Sequence, residues 1–204
     1  MTGTTTTLDR FDGHIAGLGT AAGLRVVVGR WRRSPLGAFT DVMAERPDGH
    51  RLLLAPGPAV AEFVAATYTF DEVRVVPVAA TVDGPRWTVR AGPLAATFRT
   101  GGRPPLGLLL AAVPTPLATS IPWVSAIDVV ARRVLPGVRT RGSATGDRDE
   151  FYCARDMHRI VAASVAWDGV DQGALTPVDP PVRFGFGSTP AGPSVVRVTT
   201  LIRR

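Results

Sequence analysis

The chain of 204 residues is long enough for one domain with a sizeable core, and its 45% apolar and 20% charged residues are typical of a folded globular protein. Its 23 basic residues are all arginine, which outnumber the 17 acids and give a formal net charge of +6. Without lysine, the protein can neither form a Schiff base through its own side chains nor build a lysine-containing phosphate loop. The absence of lysine and asparagine also indicates a GC-rich genome, such as that of a high-GC bacterium.

The predicted elements follow a threonine-rich start that shows no apolar periodicity. Residues 1–10 are therefore assigned to a flexible tail and residues 11–204 to a single domain. Strand-like runs lie at residues 24–31 and 194–202, and others flank three Asp-Gly pairs that favour tight hairpin turns, at Asp48, Asp83 and Asp168. The sequence predicts an α+β fold, with a curved, mostly antiparallel sheet or cone-like partial barrel and a few packed helices.

Two helices are predicted, over residues 58–67 and 120–137, and the second has Asp128, Arg132 and Arg133 on its solvated side. The uncharged stretch 104–127 is long enough to span a membrane, but its five prolines would break a spanning helix. It is interpreted as two buried short helices. No signal pattern is present at the start, so we expect no membrane span and a cytoplasmic location.

Neither a metal nor a cofactor is expected. The lone Cys153 is interpreted as a buried, inert thiol, and three scattered histidines match no metal-site spacing.

Residues 183–193 contain G-x-G, but Pro190 stands where a dinucleotide-binding loop needs glycine. We therefore predict a packing loop anchored by Phe184 and Phe186, or else a loop that lines a ligand pocket. The scattered arginines lack interleaved aromatics, so nucleic acid is not an expected partner.

Two strand patterns place chemical groups together. Asp156 and His158 are two residues apart and share a strand face, where the carboxylate could orient the imidazole and raise its basicity. Ordinary alternation on a surface strand would give the same pattern. Arg90 lies on the strand face opposite Trp87, and it could bind a carboxylate if that face lines a cavity, or be an ordinary exposed arginine if it meets solvent.

A family resemblance rests on the segment 37–67. Gly-Ala-Phe-Thr-Asp at 37–41 is followed by a proline-ended strand at 51–56 and an alanine-rich helix at 58–67. This order resembles the acetoacetate-decarboxylase-like group, whose members carry G-x-[FY]-x-[ED] on a strand and place the catalytic lysine after the helix. The resemblance implies a similar fold, a cone-like cavity and a role for Asp41. Residues 68–74 replace the lysine segment, so the decarboxylase mechanism does not carry over.

The other polar residues of segment 37–56 have simpler interpretations. Glu45 shares the strand face of Asp41 but lies nearer the turn, so we expect it to be more exposed. Asp48 is explained by the turn, and His50 is expected to be a solvated residue at the start of a strand.

Two functions from different classes follow from this sequence. The first is a small-molecule binder, or a lysine-independent enzyme of the lyase or hydrolase type, that holds a short organic acid in an apolar cavity. Its predicted ligand contacts are Arg90, Arg74 and Tyr68, and its predicted acid–base residues are Asp41, Glu72, Asp156 and His158. The second is a non-catalytic oligomeric or partner-binding module, whose cavity would be filled by side chains. We also expect a homo-oligomer.

Overall fold

The computed structural model describes residues 8–124, 141–143, 149–185 and 189–203. The strands of this part of the chain are β1 (Leu8–Thr20), β2 (Arg25–Arg33), β3 (Phe39–Glu45), β4 (Arg51–Ala55), β5 (Glu72–Val75), β6 (Val78–Asp83), β7 (Arg86–Ala91), β8 (Leu94–Thr100), β9 (Arg141–Ser143), β10 (Asp149–Trp167), β11 (Val170–Asp171), β12 (Leu175–Thr176) and β13 (Ser194–Arg203). The helices are α1 (Pro58–Ala65), α2 (Pro105–Ala112) and α3 (Thr115–Ala118).

The strands form one curved sheet, as the sequence predicted. Ten of them follow the order β5-β4-β3-β2-β1-β13-β10-β8-β7-β6, while β9 and β11 pair with β10, and β12 pairs with β1. The neighbours along this path are antiparallel, apart from the parallel pair β4–β5. Because β6, at one end of the path, also contacts β3 near the other end, the sheet curls into a half-barrel. The fold class is therefore α+β.

The core lies on both faces of the sheet. On the inner face, Val26 and Val28 of β2 pack with Val89 and Phe98 from the opposite wall of the half-barrel. On the outer face, Val27 packs with a cluster that includes Val60, Val64 and other residues of α1. The central strands are therefore buried on both sides, which explains why β2 and β4 are continuous apolar runs rather than alternating ones.

The three predicted Asp-Gly hairpins are present. They connect β3 to β4, β6 to β7 and β10 to β11. Asp168 and Gly169 both have positive φ, at 49° and 76°, which is the backbone that a two-residue hairpin turn requires.

Two boundaries differ from the sequence-based prediction. The strand-like run before Asp83 is split at Val76-Pro77, because its first part pairs with β4 and its second part pairs with β7. Strand β1 begins at Leu8 and pairs with the end of β13, so residues 8–10 belong to the sheet rather than to the predicted tail.

Within the stretch 104–127, the described residues 104–124 form short helices that are largely exposed, which corrects the prediction of buried helices. Leu108 and Leu109 of α2 are 60% and 68% exposed, and Leu117 of α3 is 43% exposed. Residues 121–124 are helical, at the start of the helix predicted from Ser120, whose remainder, with Asp128, Arg132 and Arg133, lies outside the described residues. Among the helices that the structure describes, none is long and apolar enough to cross a membrane.

Two smaller predictions concern buried side chains. Cys153 is buried, and burial raises the pKa of its thiol to about 11, so the thiol stays protonated at neutral pH. Phe184 is also buried and packs on Phe70 at 5.6 Å between ring centroids, as expected for the anchor of a packing loop. Phe186 lies outside the described residues.

Candidate functional site

A pocket opens on the outer face of the sheet, between α1 and strands β1, β2, β3 and β13. It encloses about 40 Å³ of free space, which is room for roughly two or three water molecules. Its lining is Phe11, Ile15, Gly29, Trp31, Phe39, Asp41, Met43, Phe63, Val64, Thr67, Tyr68, Thr200 and Ile202. We call this the Asp41 pocket. Among the described residues that line it, Asp41 is the one carboxylate, and there is no histidine or arginine.

Asp41 is a buried acid that has no cationic partner among the described residues. Its side chain is 3% exposed, and its Oδ1 accepts a hydrogen bond from Trp31 Nε1 at 3.0 Å. Burial raises the pKa of this carboxyl to about 7, and the hydrogen bond from Trp31 opposes only part of that increase. Near neutral pH, Asp41 can therefore both donate and accept a proton.

Gly29 makes room for this carboxyl. It lies directly opposite Asp41 in the β2–β3 register, in the middle of a buried strand. A Cβ atom at Gly29 would lie 2.4 Å from Asp41 Oδ1 and 2.7 Å from Trp31 Nε1. A glycine inside a strand pattern often marks such a close approach, so Gly29 within residues 24–31 was the sequence signal for this site that the prediction missed.

Aromatic rings form the wall around the carboxyl. Phe11 contacts Trp31 at 5.7 Å and Phe63 at 5.1 Å between ring centroids, and Phe39 lies 6.5 Å from Phe11. Helix α1 supplies Phe63, and Tyr68 follows the helix at the pocket edge. Of the residues predicted for ligand binding and acid–base chemistry, the structure brings Asp41 and Tyr68 together here.

Glu72 and Arg74 lie elsewhere, on the edge strand β5. Arg74 Nε donates to Glu72 Oε1 at 2.6 Å, and His50 Nε2 lies 3.1 Å from Glu72 Oε2. The hydrogen bonds from Arg74 and then His50 lower the pKa of Glu72, so it is a poor general base at neutral pH. These residues form a surface ion cluster, and neither Glu72 nor Arg74 lines the Asp41 pocket.

Arg90 is exposed on β7, while Trp87 and Val89 on the same strand are buried. The predicted alternation along this strand is present, but Arg90 does not line the Asp41 pocket. An arginine anchor is therefore missing from the described lining of that pocket.

Asp156 and His158 share a strand face, as their spacing predicted, but they lie apart from Asp41. Arg103 binds Asp156 with two hydrogen bonds of 2.8 and 3.0 Å, which are the main cause of its lowered pKa. His158 Nε2 is 3.4 Å from Asp156 Oδ2, and its Nδ1 lies 2.9 Å from the carbonyl oxygen of Gly101. The pair borders a hollow on the inner face of the sheet.

Glu45 is fully buried, although its position near the turn predicted a more exposed residue. Its carboxylate accepts hydrogen bonds from the Arg183 backbone N–H at 2.7 Å and Arg183 Nε at 2.8 Å, and it forms an ion pair with Arg25 at 3.1 Å. The segment around Arg183 covers this end of the β3–β4 hairpin, so that the Glu45 carboxylate is shielded from water. Glu45 therefore has a structural role.

No cluster of three or more histidine, cysteine, aspartate or glutamate side chains suited to a metal ion occurs within the described part of the chain.

No protein-family model and no curated protein matches this sequence. Among solved structures, the chain is similar to acetoacetate decarboxylase from Legionella pneumophila, with 9% identity over 96% of this chain and 84% of that chain and a TM-score of 0.44. A second acetoacetate decarboxylase structure has 10% identity, the same coverage and a TM-score of 0.40. The weak likeness of fold to acetoacetate decarboxylase that the sequence indicated is thus found. At this low identity and TM-score, the likeness concerns the fold alone.

Proposed function

We propose that this protein binds a short organic acid in the Asp41 pocket, and that the carboxyl of the ligand shares one proton with Asp41. The observation that carries the proposal is a buried carboxyl that lies beside free space in an aromatic pocket and has no cationic partner in the part of the chain that the structure describes. Perturbed acids in apolar pockets are common at binding and catalytic sites.

Proton sharing explains how such a pocket could accept an acid without an arginine. Two carboxyl groups in close contact cannot both ionise, so one proton is held between them. Asp41 is suited to this because its pKa of about 7 keeps it protonated where free organic acids are ionised. The free volume of about 40 Å³ limits the ligand to the smallest organic acids, and the aromatic wall favours a short apolar chain.

Asp41 is also the group that would move a proton in a reaction. An acid whose pKa lies near the working pH is the most effective general acid or base. Because the chain contains no lysine, a lyase or hydrolase reaction here would proceed without a Schiff base.

The test is a thermal-shift titration with acetate, propionate and butyrate at about pH 5.5 and about pH 8. We expect the acids to raise the melting temperature at the lower pH, with at least tenfold weaker binding at the higher pH, where Asp41 ionises. Asp41→Asn should bind with little dependence on pH, because the amide always donates a hydrogen bond, and Asp41→Ala should not bind. Glu62→Gln, which changes an exposed acid on α1, is the matched control and should behave as the wild type.

A non-catalytic interaction module is the second candidate function. It is favoured by the small free volume of the pocket, about 40 Å³, and by the exposed leucines of α2. A titration in which no acid changes the melting temperature at either pH would support this module and contradict ligand binding at Asp41. The expected homo-oligomer remains a prediction, which light scattering on the purified protein would test.

A further inference from the structure

The strands that form the Asp41 pocket present a different set of side chains on the inner face of the sheet. In β2, Gly29 and Trp31 line the Asp41 pocket, whereas Arg30 and Arg32 line hollows on the other side. Strand β1 alternates in the same way, with His14 on the inner face. This follows from the two-residue period of a strand.

Strand register places these inner-face residues in a row. His14 pairs with Arg197 of β13 on one side and with Arg30 of β2 on the other. Asp156 of β10 is the next position beyond Arg197. Directly opposite side chains on neighbouring strands lie about 5 Å apart at Cβ, so two arginines flank one histidine.

Two adjoining hollows, of about 360 and 420 Å³, follow this row and share His14, Arg32 and Arg197. We call them together the arginine groove. The charged residues that line it are six arginines and two aspartates, namely Arg10, Arg30, Arg32, Arg33, Arg155, Arg197, Asp12 and Asp156. Each hollow is in the size range of small-molecule sites.

The two aspartates of the groove are already engaged. Asp156 is held by Arg103, which lies outside the lining, and Asp12 accepts hydrogen bonds from Arg10 at 2.9 and 3.1 Å and from the Thr199 hydroxyl. Asp12 also forms an ion pair with Arg155 at 3.8 Å. The positive charge of Arg30, Arg32 and Arg197 is therefore not neutralised by these acids.

Three arginines of the groove have no carboxylate partner among the described residues, namely Arg30, Arg32 and Arg197. Arg30 instead packs over the ring of Trp87, at 5.9 Å from its centroid. Like charges held this close repel one another, and the repulsion is weakest when an anion lies between them.

The pKa of His14 reflects these neighbouring positive charges. Burial, followed by the positive charges of Arg30, Arg197 and Arg32, lowers its pKa to about 4. The imidazole is therefore neutral at pH 7, and its buried Nδ1 has no hydrogen-bond partner in the described structure. The neutral ring adds no positive charge of its own, and it borders both hollows between Arg30 and Arg197.

We propose that the arginine groove binds a small anion with at least two negative charges, such as a phosphate ester or a di- or tricarboxylate. Arg30 and Arg32 on one side of His14, and Arg197 on the other, give two cationic ends that a multivalent anion can bridge. Arginine is the side chain best suited to phosphate and carboxylate recognition, because its planar donors bind two oxygens at once.

The shape of the groove favours a small anion over nucleic acid. The β6–β7 turn forms a wall at Val82 and Gly84, so the cationic row does not continue as an open track. Trp87 is the one aromatic residue among the described lining, and it is 5% exposed, so it offers no stacking surface to a base.

The test is a titration with inorganic phosphate, pyrophosphate and citrate, and with chloride as the monovalent reference, all at equal ionic strength and about pH 7.5. We expect pyrophosphate and citrate to bind and raise the melting temperature, and chloride to have no effect. Arg30→Gln and Arg197→Gln should each weaken binding at least tenfold. Both should leave the ligand-free melting temperature unchanged or raise it, because each removes charge repulsion, so lost binding would not reflect lost folding.

Arg90→Gln and Arg99→Gln are matched controls, since both remove one positive charge from an exposed arginine outside the groove. Asp41→Asn is a third control, on the opposite face, and should bind citrate as the wild type does. Equal losses in Arg90→Gln and Arg197→Gln would show non-specific attraction and overturn the proposal. Tighter binding of a single-stranded oligonucleotide, lost in Arg197→Gln, would also overturn it and assign the groove to nucleic acid.

Discussion

Gly29 shows how one backbone position can decide whether a buried acid is tolerated. A strand interior does not favour glycine by itself, because it loses more conformational freedom on folding and packs no side chain. Here the missing Cβ leaves the space in which Asp41 and the Trp31 indole meet. Gly29 therefore reduces the stability of the strand itself, but it allows the Trp31 indole to donate a hydrogen bond to the buried Asp41.

We predict that Gly29→Ala destabilises the protein by about 1–3 kcal/mol, the usual cost of overpacking a core, because the new methyl group must displace the carboxyl or the indole. Urea unfolding measures the loss. Gly102→Ala, where a Cβ would have nothing within 4 Å, is the control and should change stability by less than about 0.5 kcal/mol. In the background of Asp41→Ala, the Gly29→Ala cost should shrink, and an unchanged cost would place the clash elsewhere.

The residues of the site were predictable to different degrees. Asp41 was indicated by a motif on a strand, and Tyr68 by its position after α1. The burial that raises the pKa of Asp41 depends on Phe11, Phe63 and Ile202, which come from distant parts of the chain and meet only in the folded sheet. The sequence showed the adjacent pair Arg32/Arg33, but the row of Arg197, His14 and Arg30 depends on strand register, which no local pattern reveals.

At the scale of elements, Glu45 connects the β3–β4 hairpin to a segment with no regular structure. Its carboxylate holds both Arg25, at the start of β2, and Arg183, and Arg25 Nη1 also donates to the carbonyl oxygen of Pro180 at 2.8 Å. Glu45 thus helps to fix the position of segment 177–185, together with the buried Phe184 ring. A long loop that is fixed in this way can close the core without adding a strand.

We predict that Glu45→Gln costs about 3–5 kcal/mol, because it leaves the buried Arg25 charge without its partner. Arg183→Ala should cost clearly less, since the Arg183 side chain is 66% exposed and its backbone N–H still binds Glu45. Urea unfolding of both variants gives the comparison. Asp71→Asn, which breaks an exposed pair with Arg51, is the control and should cost least. Equal losses of stability in all three variants would contradict this role of the buried Glu45 carboxylate.

The elements themselves were largely predictable, for reasons that differ between them. The Asp-Gly turns fix three hairpins because few other sequences adopt their backbone, and α1 begins at the proline that suits a first helical turn. The exposure of α2 was not predictable, because its leucines read as core and nothing local shows that only Gly107 is buried. The parallel pairing of β5 was missed for a similar reason, since Val76-Pro77 resembles an interruption within one strand.

At the scale of the whole molecule, two groups on opposite faces of the sheet oppose each other in the pH dependence of folding. Asp41 has a raised pKa, so the folded protein keeps a proton that the unfolded chain loses, and stability falls as the pH rises from about 4 to about 7. His14 has a lowered pKa, so the unfolded chain takes up a proton that the folded protein does not, and stability rises from about pH 4 to about 6.5.

We predict that the pH dependence of stability due to Asp41 or to His14 becomes measurable when the other group is removed. In His14→Gln, the free energy of unfolding should fall by about 3 kcal/mol between about pH 4.5 and 7, as the pKa shift of Asp41 requires. In Asp41→Asn, it should instead rise over the same range, by a smaller amount because His14 is partly exposed. The wild type should vary less than His14→Gln, since the two slopes oppose each other.

Urea unfolding at several pH values makes this measurement, and the range above pH 4.5 avoids the carboxylates with lowered pKa, whose stabilising contributions are lost only at lower pH. A His14→Gln protein whose stability does not fall with pH would show that Asp41 is ionised in the folded state. That result would also remove the basis for proton sharing in the Asp41 pocket. It would leave anion binding in the arginine groove unaffected, because that proposal depends on Arg30 and Arg197 and not on Asp41.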